Sequence, residues 1–361
     1  MTNAHPLRRS APSWVGLCLG LAVAATPGIA AADSATDWLS SIDSFAAGGF
    51  LPAAASTTDF QISIDGVDLF STTGNEATAE SGMGGIAIAF GDGANADATG
   101  GFGDFASAAG ANAQALTSGL GGGEFDTAIA NGAGSSAEAD GGNGDASFAN
   151  GDGSQAITGG VAGTPGDHDV AFATGTNSYA EATIGDNDSA YANGTGSDAA
   201  AGGYFTHLGV PVAGNGDFSS AFGIHSYADS GYGNNDFASV FDPTATVNSP
   251  GSTALADYGS DNVTAVLGDN SYATAGGTRL AELGNDNVAL IFGTGGYAAS
   301  GAGLTTPGDY DFASVFGNGP FNAIATGGNY LYDIVSALGH ESGSAAATSG
   351  SSFLTELLSL F

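Results

Sequence analysis

The six residues DFASVF occur twice in this chain, as Asp236–Phe241 and as Asp311–Phe316, and a shorter DFAS stands at Asp104–Ser107. Such a recurrence is either a duplicated site or one element of a repeating fold. Alignment on the glycine that ends each related string gives Gly91, Gly110, Gly132, Gly151, Gly175, Gly194, Gly223, Gly268, Gly293 and Gly317, with Asp242 in the glycine's place. The recurring interval is 19 residues, as between Gly91 and Gly110 or Gly175 and Gly194. Wider intervals hold insertions that read as surface loops: GVAGTPGD before His168, GGYFTHLGVPVAGNG before Asp217 and SGAGLTTPGD before Tyr310. A fixed period of this length is the signature of a stacked repeat.

Each period carries two short apolar strings. The first takes forms such as HDVAFATG, DSAYANG and DNVALIFG; the second, about three residues after the glycine, takes forms such as NSYAEATIG and HSYADSG. Both alternate small and larger side chains over four to six residues and end at Gly, Asn or Asp, which is strand-and-turn chemistry. The expected fold is therefore all-β: a parallel β-solenoid over residues 86–328, of about eleven coils with short helical caps. On the first string one face is small (Ala171 and Ala173, Ala238 and Val240, Ala313 and Val315) and the other bulky (Phe172, Phe237 and Phe241, Phe312 and Phe316). Successive strand residues point to opposite sides. The small face is assigned to a narrow interior, leaving an aromatic ladder outside that needs cover; the competing assignment puts the aromatics inside. A second protomer, making a homo-oligomer through the aromatic face, is one such cover, and an envelope component another.

The ends differ. Arg8 and Arg9, the apolar run Trp14–Ala25 and the string Ala30-Ala31-Ala32 read as a secretory signal peptide over residues 1–32. Its apolar run is too short for a stable transmembrane anchor. Residues 33–58 hold a helix, with Trp38, Ile42 and Phe45 on one side, and a linker. Residues 59–85 are expected to form a capping hairpin, turned at Asp65-Gly66, and the first strands. Residues 329–361 carry helical apolar spacing at Tyr330–Leu338 and Phe353–Phe361, read as a C-terminal helical cap and tail that covers the last strand edges.

Charge excludes several functions. The chain has 37 acidic residues and 3 Lys or Arg. Removal of the signal peptide leaves Arg279 as the one base, which rules out a nucleic-acid partner, whose phosphates are held by Lys and Arg. The only Cys is Cys18, so the exported chain has no disulfide. Acid pairs precede several first strings: Asp167 and Asp169, Asp186 and Asp188, Asp309 and Asp311, with Asp236, Asp261 and Asp286 as single relatives. In register these make a row of carboxylates, and a row of oxygens is what calcium takes as ligands. The other reading is that Asp and Asn close tight turns through their own backbone. No organic cofactor is indicated. His168, His207, His225 and His340 are scattered without metal spacing or a nucleophile partner, and the expectation is a non-enzymatic protein.

The units Asp261–Gly277 and Asp286–Gly301 resemble the head repeats of trimeric autotransporter adhesins, in which small-residue strands stack into a β-roll. Over nearly its full length, from DWLSSID (Asp37–Asp43) and FQISIDGVDLFST (Phe60–Thr72) into the acidic repeats, the chain is similar to secreted Gly- and Ala-rich repeat proteins of mycobacteria, without their helical PE domain. The resemblance implies an exported or envelope-associated protein, adhesin-like, contacting an envelope or host-surface component. A calcium-dependent β-roll is the alternative.

Overall fold

The computed structural model describes residues 59–358, save 73, 118–122, 161–165, 206–210, 278–283, 302–308, 327–333, 340–342 and 349–356. The expected signal peptide and the helix around Trp38 lie outside these. The rest winds as a parallel β-solenoid with two faces. One sheet of 15 strands (sheet A) collects the first strings, and one of 13 strands (sheet B) the second strings. A two-stranded ribbon, Tyr204–Phe205 with Pro211–Val212, belongs to an insertion.

The coil from Asp169 to Asn187 shows the design. Strand Val170–Thr174 lies in sheet A, the turn Gly175-Thr176-Asn177-Ser178 reverses the chain, and strand Tyr179–Thr183 lies in sheet B. A second turn leads to Asp188, which repeats Asp169. Each strand pairs in register with its equivalent in the next coil: Val170 with Ser189, Phe172 with Tyr191, Tyr179 with Asp198.

Register explains the glycine that marks each repeat. Gly194 has φ +147°, and a Cβ there would fall onto the carbonyl oxygen of Gly223 in the next coil; Gly110, Gly132, Gly151 and Gly175 stand alike over their successors. Two residues on, a left-handed corner follows: Asn112, Asn177, His225 and Asn270 alternate there with Gly93, Gly134, Gly153 and Gly196. Asn tolerates this conformation better than most residues, which accounts for the exchange.

The small face is the inner one. Ala171, Ala173, Ala180, Ala182, Ala190 and Ala192 are all fully buried. Polar core residues come in pairs across the interior: Ser147 Oγ lies 2.9 Å from Thr158 Oγ1, and Ser219 Oγ 2.9 Å from Ser230 Oγ. A buried hydroxyl without a partner costs about 1–3 kcal/mol, so the pairing is a packing requirement. The core thickens towards the C-terminal end with Val240, Val266, Ile291 and Val315. Gly296 is the matching reduction, since a Cβ there would stand 3.0 Å from both Ile291 Cγ2 and Val315 Cγ1.

The hairpin at the N-terminal end forms as expected. Strands Phe60–Ile64 and Val67–Ser71 are antiparallel, with Asp65 (φ +51°) and Gly66 (φ +74°) in the turn. Phe60–Ile64 then pairs antiparallel with Ile86–Phe90, so the hairpin extends sheet A and Val67–Ser71 becomes its edge strand. The C-terminal helical cap is corrected: Ile334–Gly339 extends sheet A by pairing with Phe312–Gly317, and Gly343–Thr348 extends sheet B. Leu357–Leu358 pairs beyond them. The coil count differs slightly from the expected eleven, and the solenoid continues into the segment assigned to the cap. The described residues contain no helix. The sequence IVSALG has helical spacing but also fits the register of FASVFG residue for residue, and the open strand edge overrides the local pattern.

Gly194→Ala should cost about 2 kcal/mol or more, combining overpacking against the Gly223 carbonyl with a strained φ. Gly134→Asn, at a position with open space and an Asn one coil away, should cost well under 1 kcal/mol. Chemical denaturation of the two variants checks the contrast.

Candidate functional site

The expected acid pairs sit at the turn that returns the chain from sheet B to sheet A. Each pair flanks a residue in the left-handed conformation: His168 (φ +65°), Asn187 (φ +64°) and Tyr310 (φ +62°). That residue separates the two carboxylates into different columns. Asp169, Asp188 and Asp311 are buried, whereas Asp167 and Asp309 are half-buried and Asp186 is exposed. Asp167 neighbours Asp186, and Asp169 neighbours Asp188. Asp309 and Asp311 lie further along, beyond the coils of Asp217, Asp236, Asn262 and Asn287. Asp261 and Asp286 take the left-handed corner itself and are not equivalent to Asp236, which lies in the buried column.

Both columns are hydrogen-bonded ladders that run in opposite senses. In the outer one the earlier coil donates: Asp167 N–H to Asp186 Oδ1 (3.1 Å) and Asp186 N–H to Asn215 Oδ1 (2.8 Å). In the inner one the later coil donates: Asp169 N–H to Asp145 Oδ1, Asp188 N–H to Asp169 Oδ1 and Asp217 N–H to Asp188 Oδ1, each 2.9 Å. The inner column extends from Asp104 through Asp126, Asp145, Asp169, Asp188, Asp217, Asp236, Asn262 and Asn287 to Asp311. Sequence reasoning missed its length, although an Asp or Asn immediately before each first string was visible.

The second carboxylate oxygen decides the column's chemistry. Oδ2 of Asp126, Asp145, Asp169, Asp188, Asp217 and Asp236 is buried without a hydrogen-bond partner. Each crowds the position a Cβ would take on a turn glycine, and so does a main-chain carbonyl: Gly142 O beside Asp126, Gly214 O beside Asp188, Gly259 O beside Asp236. Asn262 holds its Nδ2 in the same relation to Gly259. Asn262 Nδ2 is likewise buried without a partner, and a position that takes either Asp or Asn suits a neutral side chain. Burial accordingly pushes Asp169 and Asp236 up to about 9, Asp126 and Asp188 to about 8, and Asp145 and Asp217 to about 7. Main-chain N–H donation to Oδ1 opposes this, while neighbouring acids reinforce it. The charges coupled to the column are themselves acids: Asp140, Asp229 and Asp257 from sheet B, Asp167 and Asp186 from the outer column. Among the described residues, no group of three or more His, Cys, Asp or Glu is arranged to hold a metal ion.

The two outer faces differ in charge. Sheet B is acidic, with Glu80, Asp97, Glu138, Glu181, Asp198 and Asp229 outward. Tyr179 donates to Glu181 Oε2 (2.6 Å) and Tyr227 to Asp229 Oδ2 (2.8 Å). Burial, then Asp229 and Glu181, push Asp198 up to about 6. Sheet A carries no acidic or basic residue at any outward position from strand Ile86–Phe90 to strand Phe312–Gly317; Asp242 is buried. Its rings stack along the solenoid: Phe148 on Phe172 at 4.4 Å, Phe172 on Tyr191 at 5.4 Å, Phe222 on Phe241 at 4.9 Å and Phe292 on Phe316 at 4.9 Å. Shallow grooves beside the central stack are edged by Asn131, Asn150, Thr174 and Asn193.

No family model, curated protein or solved structure matches the chain. The residues themselves carry the functional argument.

For the inner column the folded values lie above the ordinary carboxylate value of 3.8, so the folded state holds the extra protons. Their contribution is complete below about 4 and is lost as pH rises through the folded values of about 7 to 9. Urea midpoints should thus fall from pH 5 to pH 9. Asp169→Asn should flatten that dependence and be the more stable chain at the alkaline end. Asp169→Ala, which strands the buried Asp188 N–H, should cost about 1–3 kcal/mol throughout.

Proposed function

We propose that this is a non-enzymatic structural and interaction protein, secreted or held at the cell envelope, whose solenoid presents long repetitive surfaces in an adhesin-like manner. The observation that carries the reading is the division of its outside into an acidic sheet B and an uncharged aromatic sheet A. An extended apolar face of this size on an otherwise acidic molecule marks a contact surface. The acidic face keeps the molecule soluble and repels anionic surfaces and like-charged neighbours. The signal-peptide pattern of residues 1–32 supports export, and the resemblance to Gly- and Ala-rich mycobacterial proteins supports an envelope or host-surface setting.

The calcium-dependent β-roll is the second reading, resting on the adjacency of Asp167 and Asp186 in neighbouring coils of the outer column, where Asp167 N–H donates to Asp186 Oδ1. It differs in what holds the fold. Circular dichroism of the chain without residues 1–32 should show the same β signal with EDTA and with calcium; loss of signal on chelation would replace the first reading by the second. Retention on isolated envelope or host-surface preparations should fall about tenfold or more when Thr174 and Asn193 are changed to Glu, because each change puts a charge into the contact face. Equal retention of the variant sinks sheet A as the contact surface.

A further inference from the structure

We infer that the outer face of sheet A is covered by a second copy of this chain, forming a face-to-face homodimer. The inference rests on the reading of sheet A as the contact surface and names its partner. Three observations favour a copy over other occupants.

The first is area. Eleven of the fifteen strands of sheet A form the uncharged face. At ~4.8 Å between strands and ~3.3 Å per residue along five residues, the face measures ~48 by ~17 Å, or ~800 Å². A standard stable interface takes about 800 Å² from each partner. The face alone therefore suffices for a dimer.

The second is charge. The formal net charge is −34, so two copies repel over most of their surfaces. Sheet A is where they can meet without placing carboxylates opposite each other, and juxtaposed like charges in an interface cost several kcal/mol. A strongly basic partner would be drawn to sheet B instead.

The third is shape. The outward column Phe222, Phe241, Leu267, Phe292 and Phe316 is substantially exposed, Phe241 at 45% and Leu267 at 43%. Beside it, the positions of Asn131, Asn150, Thr174 and Asn193 continue the same column with small polar residues. The ridge thus occupies the C-terminal half of the column, and the shallower grooves lie N-terminal to it, between Phe222 and the lone ring of Phe90 at the column's far end. A copy turned end for end lays its Phe ridge into those grooves and receives the partner's ridge in return. That is the self-complementarity a two-fold interface requires. Sheets packed this way keep their strands nearly aligned, ~10 Å apart.

The test is the mass of the chain without residues 1–32, by sedimentation equilibrium across micromolar concentrations at low and high salt. The expected result is a dimer that tightens with salt, since screening removes repulsion between two acidic molecules. The double variant N150E/N193E, which changes exposed groove positions and leaves the rings in place, should weaken dimerisation about a hundredfold with an unchanged circular dichroism spectrum. A monomer at both salts, or a dimer indifferent to N150E/N193E, overturns the inference. So does a chain that stays monomeric and floats with neutral phosphatidylcholine vesicles, which makes lipid the occupant. If the wild-type chain is monomeric yet its envelope retention is lost in the variant, sheet A remains the contact surface and only the second copy is withdrawn.

Discussion

Every position in this molecule must tolerate being stacked on its own equivalent. Parallel strands in register repeat at ~4.8 Å, so each column along the solenoid sees the same kind of residue above and below. Most of the composition follows from that. A turn that lies against the next coil's carbonyl favours Gly, hence Gly91, Gly110, Gly132, Gly151, Gly175 and Gly194, with Asp242 the exception in that column. An interior between two close sheets admits Ala, with Ser and Thr where a hydroxyl faces another across the core. Outward columns accept rings, because Phe172 on Phe148 or Phe316 on Phe292 stacks nearly parallel at ring-packing distance.

Acids are the residues this rule treats most severely. A column of carboxylates repels itself unless something intervenes, and the two corner columns solve the problem differently. The outer one stays near solvent and spends its oxygens on N–H groups of the preceding coil. The inner one is buried, gives one oxygen to the following coil and favours the neutral acid at the other. Asn262 and Asn287 in that column are permanently neutral versions of the same group. The aromatic face is the complement of this arrangement: from strand Ile86–Phe90 to strand Phe312–Gly317 the outward acids are confined to corners and sheet B, which leaves that stretch of sheet A uncharged.

The period, the two strands per coil and the burial of the small face were legible in the sequence because they depend on spacing and alternation alone. So was the Asp65-Gly66 hairpin, whose turn needs two left-handed residues. The C-terminal strands were not, since IVSALG satisfies a helical spacing and a strand register equally, and only the neighbouring FASVFG chooses between them. The acid pairs were visible as residues but not as a geometry. Asp167 and Asp169 are two apart, which in a strand means one side; a left-handed His168 between them breaks that parity and assigns them to different columns. Which Asp is buried is thus written in a backbone angle rather than in the pair itself.

The opposed directions of the two corner ladders have a mechanical consequence. One ladder hands each coil's amide back to its predecessor, and the other hands it forward to its successor. A coil within the span of both ladders is therefore tied to its neighbour by side chains both as giver and as receiver, besides the main-chain bonds of two sheets. Tension along the axis loads all of these at once, and parting two such coils must break both kinds. That stretch of the solenoid is in effect lashed along one edge in both directions.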